Sequence, residues 1–488
     1  MKFIVGDKLT KFKGYPGEIR LVQKLLTDPD DLGNVLYNTE QEFYSGLTDW
    51  VVESLKGKIE VEVVDKRTAQ PFSIQPEEKH GVFTLRDYQL RVVQLALAKS
   101  RGLVEFPTGA GKTVTAASII KEFLKRLPKI RVIFVVPRVL LCEQTAESFV
   151  KAGMPRESVG ILGGAHSDYD KQITVSTVQT LYSGLKRRNS ETQDLLSSIG
   201  LVIFDEVHHL SSDSWIRVAG SCDAPYRYGL SASLWEDPNE IAFTDRFFIG
   251  LTGDVLLRIP TSYLISRGFL AKLHVMHIEL PHISIPVWDW HKVYARGVTE
   301  NESLNQCAAN LAKVMYERSS RVLVLVQQIK HGEKILEKLN NLNVPAIFFK
   351  GGNEVKKRYN QDPEVWPYER LSDYVSSNDA SITIATGVLG EGVDLPVVDT
   401  LILASGMKKF RPLVQKLGRV LRPKKDNNAY LFDFWQPSHK YLSNHSEIRL
   451  NHYAEEGHDI LGLYDSESSR ELMKWTEEEL KLIEEGVK

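Results

Sequence analysis

From about residue 81 onward, short runs of apolar and β-branched residues alternate with longer stretches of helical apolar spacing. Runs that are apolar at successive positions predict strands buried on both faces, and intervening helices indicate a parallel sheet. The first series lies at residues 132–136, 173–176 and 201–204, and the second at 322–326, 346–349, 382–385, 400–403 and 429–433. The pattern therefore predicts two α/β domains, joined near residues 270–286.

The two ends of the chain have different patterns. Alternation over residues 59–64 predicts a half-exposed strand, and residues 19–26 and 41–55 predict short helices. Residues 68–79 are polar, contain two prolines and predict a linker. We therefore expect a small α+β unit before the first α/β domain. Residues 466–488 predict a charged helix, for which a solvated surface position is the expectation.

Composition narrows the class of protein. The 488 residues are too many for one ordinary domain, and 42% hydrophobic and 25% charged residues are typical of globular chains. No run of about 18 apolar residues predicts a membrane span, and the N-terminal segment lacks a secretory pattern. Cys142, Cys222 and Cys307 are far apart, so neither a disulfide framework nor structural zinc is expected and a reducing cytoplasm fits. A net charge of -2 leaves the partner open, because a basic groove can lie on an acidic protein.

Residues 105–113, Glu-Phe-Pro-Thr-Gly-Ala-Gly-Lys-Thr, are the strongest candidate for a binding site. They follow an apolar run and precede a helix-like segment at residues 114–127. A strand, a glycine turn and a helix N-terminus in this order form the context that binds phosphate. The strict pattern begins with glycine, whereas this chain has Phe106 at that position. The stretch predicts a nucleoside triphosphate site without indicating what the hydrolysis drives.

The residue types in this loop suit the phosphate chemistry. Gly109 and Gly111 allow backbone N–H groups to approach phosphate oxygens, because no Cβ stands in the way. Lys112 supplies a flexible positive charge, and Thr113 supplies a hydroxyl suited to Mg²⁺. We therefore expect ATP and Mg²⁺ as the cofactors.

Asp205 and Glu206 follow the apolar run at residues 201–204. Carboxylates at the carboxyl end of a parallel strand lie where ligands bind in open α/β sheets. Asp205 suits a magnesium ion, which binds through one carboxylate and phosphate oxygens, and Glu206 suits a base for the attacking water. Taken alone, the pair is explained more simply as a plain acidic loop at the end of a strand. Together with Lys112, the pair favours nucleotide hydrolysis.

Gln415, Arg419 and Arg422 recur three or four residues apart and would share one helix face. Two guanidinium groups on one face suit the charge that develops on a γ-phosphate. An exposed basic helix explains the same spacing, so this cluster alone leaves both interpretations open.

Three weaker motifs surround these clusters. Ser231-Ala-Ser233 occupies a small-residue turn, and residues 386–394 contain three glycines and a carboxylate after a strand. The second loop suits a close approach to a phosphate or ribose, although a bare turn would look similar. Residues 85–89 place Gln89 near a helix start, where its amide offers a donor and an acceptor to adenine.

The order of all these elements is more specific than any one of them. Residues 86–89, 107–113, 136–138, 176–180, 205–208, 231–233, 386–394 and 415–422 follow one another in a single series. This series resembles the motif set of superfamily 2 helicases over roughly residues 81–434, and Asp-Glu-Val-His at 205–208 resembles the DExH branch. In that family the phosphate loop begins effectively at Pro-Thr-Gly, which accounts for Phe106.

The resemblance implies a role for each matching residue. At the nucleotide and its metal it implies Thr108, Gly109, Gly111, Lys112, Thr113, Asp205 and Asp394, with Arg86 and Gln89 at the adenine. For catalysis it implies Glu206 as the base, Arg419 and Arg422 as arginine fingers, and Gln415 beside them. Ser231 and Ser233 resemble the motif that couples nucleotide state to domain closure, and Arg138, Thr177, Gln179 and Thr386 resemble contacts to the nucleic-acid backbone.

The resemblance also implies an architecture. It is an α/β fold of two tandem RecA-like parallel-sheet domains at residues 81–270 and 271–445, with a small N-terminal α+β domain at 1–78 and a helical tail at 446–488. ATP would lie between the RecA-like domains, so that hydrolysis and domain opening are coupled while nucleic acid is gripped. Residues 1–78 serve either as a packing module or as a DNA-recognition module, and the sequence leaves both open.

Finer features resemble the phage UvsW-like and RecG-like branch-migration helicases and, more loosely, XPB. They are the Leu-Arg-Asp-Tyr-Gln opening at 85–89, residues 263–270, the small domain before the core, and the tail motif at 449–457. This implies a monomeric 3′-to-5′ DNA helicase or translocase acting on forks and Holliday-type junctions in replication, recombination or repair. It would work in the cytoplasm of a bacterial or phage-infected cell. Two alternatives stay open, an RNA-directed DExH helicase or duplex-RNA sensor, and an ATP-gated clamp that does not unwind.

Overall fold

A computed structural model describes residues 1–31, 33–107, 109–235, 241–270, 272–349, 365–366, 381–386, 398–406, 428–455, 457–462 and 472–487. Two compact units are found, the first containing Met1–Pro107 and Gly111–Ile259, and the second containing Pro260–Lys488. The domain limits expected from the sequence stay predictions. No helix within the described ranges is long and apolar enough to cross a membrane.

The first unit begins with a small α+β module. Its elements are β1 (Lys2–Val5), β2 (Leu9–Lys13), α1 (Pro16–Leu25), β3 (Glu42–Tyr44), α2 (Thr48–Leu55) and β4 (Glu62–Asp65). The sheet order is β3-β2-β1-β4, with β4 parallel to β1 and the other pairs antiparallel. The predicted helix at 19–26 is confirmed by α1, whereas the predicted helix at 41–55 is wrong at its start, where β3 lies.

This module shares a hydrophobic core with the α/β domain that follows it. The apolar positions that alternate along β1 and β2 place Phe3 and Phe12 in one cluster with Phe248 of that domain. The guanidinium of Arg246 also lies 3.9 Å from the ring centroid of Trp50. Since its inner face forms part of this core, the module is packed against the first α/β domain rather than tethered beside it.

The segment predicted as a linker is held against the same domain. The backbone N–H of Gln70 donates to the Tyr226 hydroxyl at 3.1 Å, and that hydroxyl donates to the Gln70 carbonyl at 3.1 Å. Phe72 packs edge-on against Phe123 at 5.7 Å and stacks on Tyr226 at 6.2 Å. The segment leads into a short hairpin of β5 (Lys79–His80) and β6 (Phe83–Thr84). It is an ordered strap that connects two packed parts.

A cluster of charges fastens the end of this strap. One possible metal-ligand atom from each of Glu77, His80 and Glu122 lies within 4.8 Å of the other two, a spacing that could hold a metal ion. Arg126 donates to Glu122 at 2.5 Å, and Lys125 donates to Glu122 at 3.2 Å. The protein therefore supplies its own cations there. Burial raises the pKa of Glu122, but these hydrogen bonds outweigh it and the pKa is lowered. The cluster therefore acts as a buried ion-pair network.

The rest of the first unit is an eight-stranded sheet with helices between its strands. Its elements are α3 (Asp87–Lys99), β7 (Arg101–Glu105), α4 (Lys112–Arg126), β8 (Val132–Val136), α5 (Val139–Lys151), β9 (Val159–Gly163), β10 (His166–Ser167), β11 (Ile173–Thr177), α6 (Val178–Lys186), α7 (Ser190–Ser198), β12 (Leu201–Asp205), α8 (Asp213–Ser221), β13 (Tyr226–Ser231), α9 (Asp245–Thr252) and β14 (Val255–Arg258). The order is β10-β9-β11-β8-β12-β13-β7-β14, parallel except for β10. The three predicted strands are confirmed by β8, β11 and β12.

The second unit contains another eight-stranded sheet. Its described elements are α10 (Thr261–Ser266), β15 (Lys272–Glu279), α11 (Trp290–Tyr294), α12 (Glu302–Glu317), β16 (Arg321–Val326), α13 (Ile329–Asn341), β17 (Ile347–Phe349), β18 (Val365–Trp366), β19 (Ser381–Thr386), β20 (Thr400–Leu403), β21 (Asn428–Trp435), α14 (Lys440–Glu455), β22 (Asp459–Gly462) and α15 (Glu477–Val487). The order is β18-β17-β19-β16-β20-β21-β15-β22, with every described pairing parallel. The five predicted strands are confirmed, and so is the α/β class with two parallel-sheet domains.

The position of β15 corrects one expectation. The sequence places the junction between the α/β domains near residues 270–286, yet residues 272–279 form a strand between β21 and β22. Its histidines interrupt the apolar run on both faces, since His274 and His277 lie on opposite sides of the strand, so the periodicity does not predict a buried strand there.

The C-terminal helix α15 is not the solvated surface helix that its charges predict. Ile483 is fully buried, and a Cβ at Gly486 would overlap the backbone of Cys307. Arg318 donates from Nε to Glu479 at 2.6 Å, and its guanidinium lies 4.5 Å from the ring centroid of Trp475. The expectation is wrong because one apolar face of the helix completes the core of the second unit.

This contact gives a pH-dependent prediction. Hydrogen bonds from Arg318 lower the pKa of Glu479 from 4.5 to about 2. A depressed folded-state pKa stabilises the helix above pH 4.5, and this contribution is lost as the pH falls toward 2. We expect Glu479→Gln to lower the opening free energy of α15 by about 1 kcal/mol at pH 6, with a smaller effect at pH 3. Hydrogen-exchange protection factors of α15 measure this, and Glu485→Gln on the same helix is the matched control. An equal effect at both pH values would contradict the prediction.

Candidate active site

The phosphate loop connects β7 to α4 at the carboxyl edge of the first sheet. Gly109 and Gly111 both have a φ of 85°, a left-handed conformation that glycine adopts without strain. A Cβ at Gly111 would also overlap the side-chain amide of Gln89. The helix α4 begins directly after this turn, at Lys112. The loop therefore presents a helix N-terminus where an anion is stabilised by backbone N–H groups.

Phe106, which replaces the expected first glycine, belongs to the core. Its side chain is fully buried, and its ring meets that of Tyr88 edge-on at 5.3 Å. Its backbone N–H donates to the carbonyl of Ser231 at 2.9 Å. The aromatic side chain anchors the start of the loop on α3 and the backbone N–H anchors it on β13, while the turn itself is formed by Gly109 and Gly111. The departure from the strict pattern thus has a packing reason.

The two residues predicted to recognise adenine lie beside this loop at the start of α3. The backbone N–H of Arg86 donates to Oε1 of Gln89 at 2.9 Å, which caps the helix. Arg86 also donates from Nη1 to the Tyr88 hydroxyl at 2.9 Å. Gln89 is only 4% exposed and borders Gly111. Their contact with a base stays a prediction.

Lys112 and Glu206 form the centre of the site. Nζ of Lys112 lies 2.9 Å from Oε1 of Glu206, and Lys112 is only 4% exposed. Glu206 follows β12 with a φ of 51°, a left-handed conformation that costs a residue with a side chain about 1–3 kcal/mol. Such strain is typical of functional sites. The tertiary structure therefore places the predicted phosphate-binding cation against the predicted base.

A line of polar contacts continues from this pair to the next strand. Nδ1 of His208 lies 3.6 Å from Glu206 and 2.8 Å from the hydroxyl of Ser231. That hydroxyl donates its single hydrogen to the carbonyl of Ser233 at 2.6 Å. Consequently His208 donates from Nδ1 to Ser231, which assigns its tautomer. Glu206 is thereby connected to Ser231 and Ser233, the residues predicted to couple nucleotide state to domain movement.

His208 is a residue of this site for which the sequence indicates no role. It lies two residues after Glu206 in the Asp-Glu-Val-His motif, and this position is the only sequence signal that could have found it. Its contact with Ser231 joins residues 23 positions apart, so it depends on the pairing of β12 with β13.

The remaining predicted nucleotide residues fall into two groups. Asp205 ends β12 and Thr113 is the second residue of α4, and both side chains are partly exposed at the carboxyl edge of the sheet. Five predicted residues lie outside the described ranges: Thr108, Asp394, Gln415, Arg419 and Arg422. Their roles stay predictions.

The predicted nucleic-acid contacts differ in accessibility. Arg138 and Gln179 are exposed at the starts of α5 and α6. Thr177 is 1% exposed, and its hydroxyl accepts a hydrogen bond from the backbone N–H of Thr180 at 3.2 Å as the N-cap of α6. Thr386 ends β19 and is 5% exposed. The geometry therefore favours Arg138 and Gln179 as side chains that reach a ligand.

Comparison with known proteins supports the interpretation of this site as one that hydrolyses a nucleotide. Residues 82–235 match the family described as "Type III restriction enzyme, res subunit", and residues 304–424 match "Helicase conserved C-terminal domain". The chain is 26% identical over 410 residues to the DNA 3'-5' translocase XPB2 of Sulfurisphaera tokodaii, covering 78% of this chain and 86% of the relative. It is 23% identical over 412 residues to the ATP-dependent DNA helicase uvsW of Enterobacteria phage T4, covering 79% of this chain and 76% of that protein.

A solved structure supports the fold. Dbp5 of S. cerevisiae, bound to RNA and ADP BeF3, matches with a TM-score of 0.53 at 16% identity, covering 83% of this chain and 94% of that chain. The two parallel-sheet domains are thus tandem RecA-like domains, preceded by the small α+β module. The glycine turn, the Lys112–Glu206 pair and the two family matches together show that the chain belongs to the superfamily 2 helicases, enzymes that hydrolyse ATP.

Proposed function

We propose that this chain is an ATP-dependent DNA translocase that remodels branched DNA, such as forks and Holliday-type junctions, in replication, recombination or repair. The observation that carries the motor function is the connected line from Lys112 through Glu206 and His208 to Ser231. DNA as the partner is supported by the relatives, which are named a DNA translocase and a DNA helicase over more than three-quarters of this chain. We further propose a monomer that works in the cytoplasm of a bacterial or phage-infected cell.

The described residues fit ATP with Mg²⁺. Mg²⁺ is bound by one or two carboxylates together with phosphate oxygens and water, so an all-protein cage is not needed. Asp205 and the hydroxyl of Thr113 would hold the ion at the end of β12 and the start of α4. Lys112 would neutralise the phosphates, and Glu206 would orient and deprotonate the attacking water. Arg419 and Arg422, with Gln415, are proposed to complete the site on the resemblance alone.

Glu206→Gln tests the base. The amide keeps the size of the side chain but cannot accept the proton of the attacking water, so we expect hydrolysis to fall by about 10²–10⁴-fold. ATP and nucleic acid should then be retained together. Single-turnover hydrolysis and co-retention of labelled ATP and DNA on a filter measure the two effects. Glu191→Gln, an exposed residue of α7, is the matched control. Hydrolysis at the wild-type rate in Glu206→Gln would contradict the assignment of Glu206 to the site.

The line through His208 offers a route by which the site senses the nucleotide. A γ-phosphate that draws Lys112 from Glu206 changes the charge next to His208, which in turn holds Ser231. Ser231 is fully buried at the end of β13, and its hydroxyl also accepts from the Ser233 backbone N–H at 3.2 Å. Because His208 lies 3.6 Å from Glu206 and is hydrogen-bonded to Ser231, we propose that a change of charge at Glu206 alters the Ser231–Ser233 turn.

The N-terminal module is proposed to confer the branch preference. Its inner face is buried, and its outer face carries Lys2 directly opposite Lys13 and Lys11 opposite Ile4. Glu62 and Glu42 lie 2.7 Å from Lys2 and 3.6 Å from Lys11, so the face has both signs of charge. Removing the whole module would expose the shared core, and surface substitutions are therefore the cleaner test.

We expect Lys11→Ala/Lys13→Ala to reduce the preference for forked over linear duplex by about fivefold. The slope of log affinity against log salt should fall by about two, because each phosphate contact contributes about one. Equilibrium binding to fork and linear duplex at several salt concentrations measures both. Lys56→Ala/Lys58→Ala removes two exposed lysines from the same module and is the control. An unchanged fork preference would leave the module with a packing role.

A substrate panel tests the function as a whole. ATP hydrolysis by the full chain is compared with forks, four-way junctions, blunt duplex, single-stranded DNA and duplex RNA, beside branch-migration and strand-displacement assays. We expect the strongest stimulation by branched DNA, with movement of the branch point. Stimulation by duplex RNA alone would overturn the DNA assignment. Stimulated hydrolysis without branch migration or displacement would indicate a clamp.

A further inference from the structure

An aromatic cluster in the second unit includes a tryptophan whose side chain is not packed in the core. Trp288 is 69% exposed, and its ring meets His439 at 5.0 Å and Tyr441 at 6.0 Å, both edge to face. Trp290 supports the cluster from behind, 6.3 Å from Tyr441 and 4.8 Å from His445. We name Trp288, His439 and Tyr441 the aromatic platform. The ring of Trp288 is held in place by these contacts, while most of its surface faces water.

The aromatic platform lies at the carboxyl edge of the second sheet. Trp288 is on the segment that leaves β15, while His439 and Tyr441 are at the start of α14, which follows β21. The ends of these two strands are adjacent, because Leu280 donates to the Trp435 carbonyl at 3.0 Å. The carboxyl edge is where open parallel sheets bind ligands, and Thr386 ends β19 at the same edge.

Two exposed lysines flank the platform along the chain. Lys440 is exposed between its two α14 residues, and Lys292 is exposed one turn after Trp288. The acidic neighbour Asp289 accepts a hydrogen bond from the Lys292 backbone N–H at 3.0 Å, so its carboxylate caps α11. Lysines flanking an exposed indole match the chemistry of a nucleic-acid strand, whose phosphates need cations and whose bases have π faces. A protein-docking patch would instead be expected to have a wider apolar area.

We propose that the aromatic platform stacks on an unpaired base of a nucleic-acid strand, with Lys292 and Lys440 contacting the adjacent phosphates. The proposal rests on the proposed function, since it concerns how the same motor holds its strand. Trp288 supplies the stacking face, and His439 and Tyr441 hold it in position, so little side-chain freedom is lost on binding. Stacking on a braced indole grips any base, which suits an enzyme that moves along arbitrary sequence.

The test compares Trp288→Ala and Trp288→Phe in binding oligothymidylate of about ten nucleotides and an abasic strand of equal length. We expect Trp288→Ala to weaken binding to oligothymidylate by about ten- to hundredfold, and Trp288→Phe by less than about threefold. Neither variant should change the weaker binding of the abasic strand. Quenching of tryptophan fluorescence on binding oligothymidylate should also be largely lost in Trp288→Phe, although seven of the eight tryptophans remain.

Two results would contradict the proposal that the aromatic platform stacks on a base. One is an equal loss of affinity for both strands in Trp288→Ala, which would indicate a structural or purely electrostatic role. The other is unchanged affinity for both strands, which would leave the exposed tryptophan to a protein partner. Failure of the proposed function is distinguishable, because it would appear as wild-type ATP hydrolysis that no DNA stimulates. Thermal unfolding of both variants identifies any loss of fold, and Trp288→Phe keeps the test informative in that case.

Discussion

Replacing Lys112 by alanine is expected to abolish measurable ATP turnover, with kcat lower by at least about 10²–10³-fold. Lys112 is the buried cation of the phosphate loop, and its Nζ lies 2.9 Å from Glu206. Phosphoryl transfer depends on positioning and on neutralising charge, so loss of this cation removes stabilisation that water cannot replace. The same change leaves the Glu206 carboxylate without its closest cation.

Steady-state phosphate release with saturating forked DNA measures the effect. Lys129→Ala removes an exposed lysine just after α4 and controls for the lost charge. Lys112→Arg keeps the charge but changes its shape, and we expect it to recover only a small part of the activity. Turnover within about tenfold of wild type in Lys112→Ala would contradict the assignment of the loop.

The largest expected loss of stability follows from Arg449→Ala. Arg449 is 1% exposed, and its Nε and Nη2 donate to the two oxygens of Asp433 at 2.9 Å each. The hydroxyl of Tyr453 donates to the same carboxylate at 2.8 Å. Burial opposes the charge, but contact with Asp433 raises the pKa of Arg449, so the guanidinium stays charged. Removing one partner leaves a buried carboxylate uncompensated and is expected to cost about 3–5 kcal/mol.

The double substitution Arg449→Met/Asp433→Leu is the control for this pair. It removes both charges and keeps apolar volume, so we expect it to be less damaging than Arg449→Ala alone. Hydrogen exchange of β21 and α14 measures stability locally, because a chain with two units need not unfold in one step. A loss below about 1 kcal/mol in Arg449→Ala would show that water reaches the carboxylate.

This ion pair explains the tail motif at residues 449–457. The motif marks a resemblance to branch-migration helicases, and the structure assigns two of its residues a buried role. Arg449 and Tyr453 both bind Asp433 at the end of β21, which fastens α14 to the second sheet. Their side chains are 1% and 0% exposed, so the motif stabilises the domain rather than presenting these groups to a ligand.

Buried strands were predictable where every successive residue is apolar. β8 and β12 are of this kind, and their side chains are covered on both faces of a parallel sheet. β15 was missed because histidines interrupt its apolar run, although it lies inside the second sheet. β1 was missed because its four residues, Lys-Phe-Ile-Val, are too few to show a long apolar run or an alternation, and only one face of its sheet is buried. A continuous run thus indicates a strand covered on both faces, whereas a short strand covered on one face has too few positions for its pattern to be recognised.

The sequence by itself determined the chemistry of this protein. Gly109, Gly111 and Lys112 lie within four residues of one another. Their conformation follows from local sterics and from the start of one helix, so the order of the residues was enough to predict the phosphate loop. Only the tertiary structure decided that Lys112 meets Glu206, that His208 holds Ser231, and that one face each of α15 and of the N-terminal module is buried. Those contacts join residues far apart in the chain, and their energies exist only once the sheets have formed.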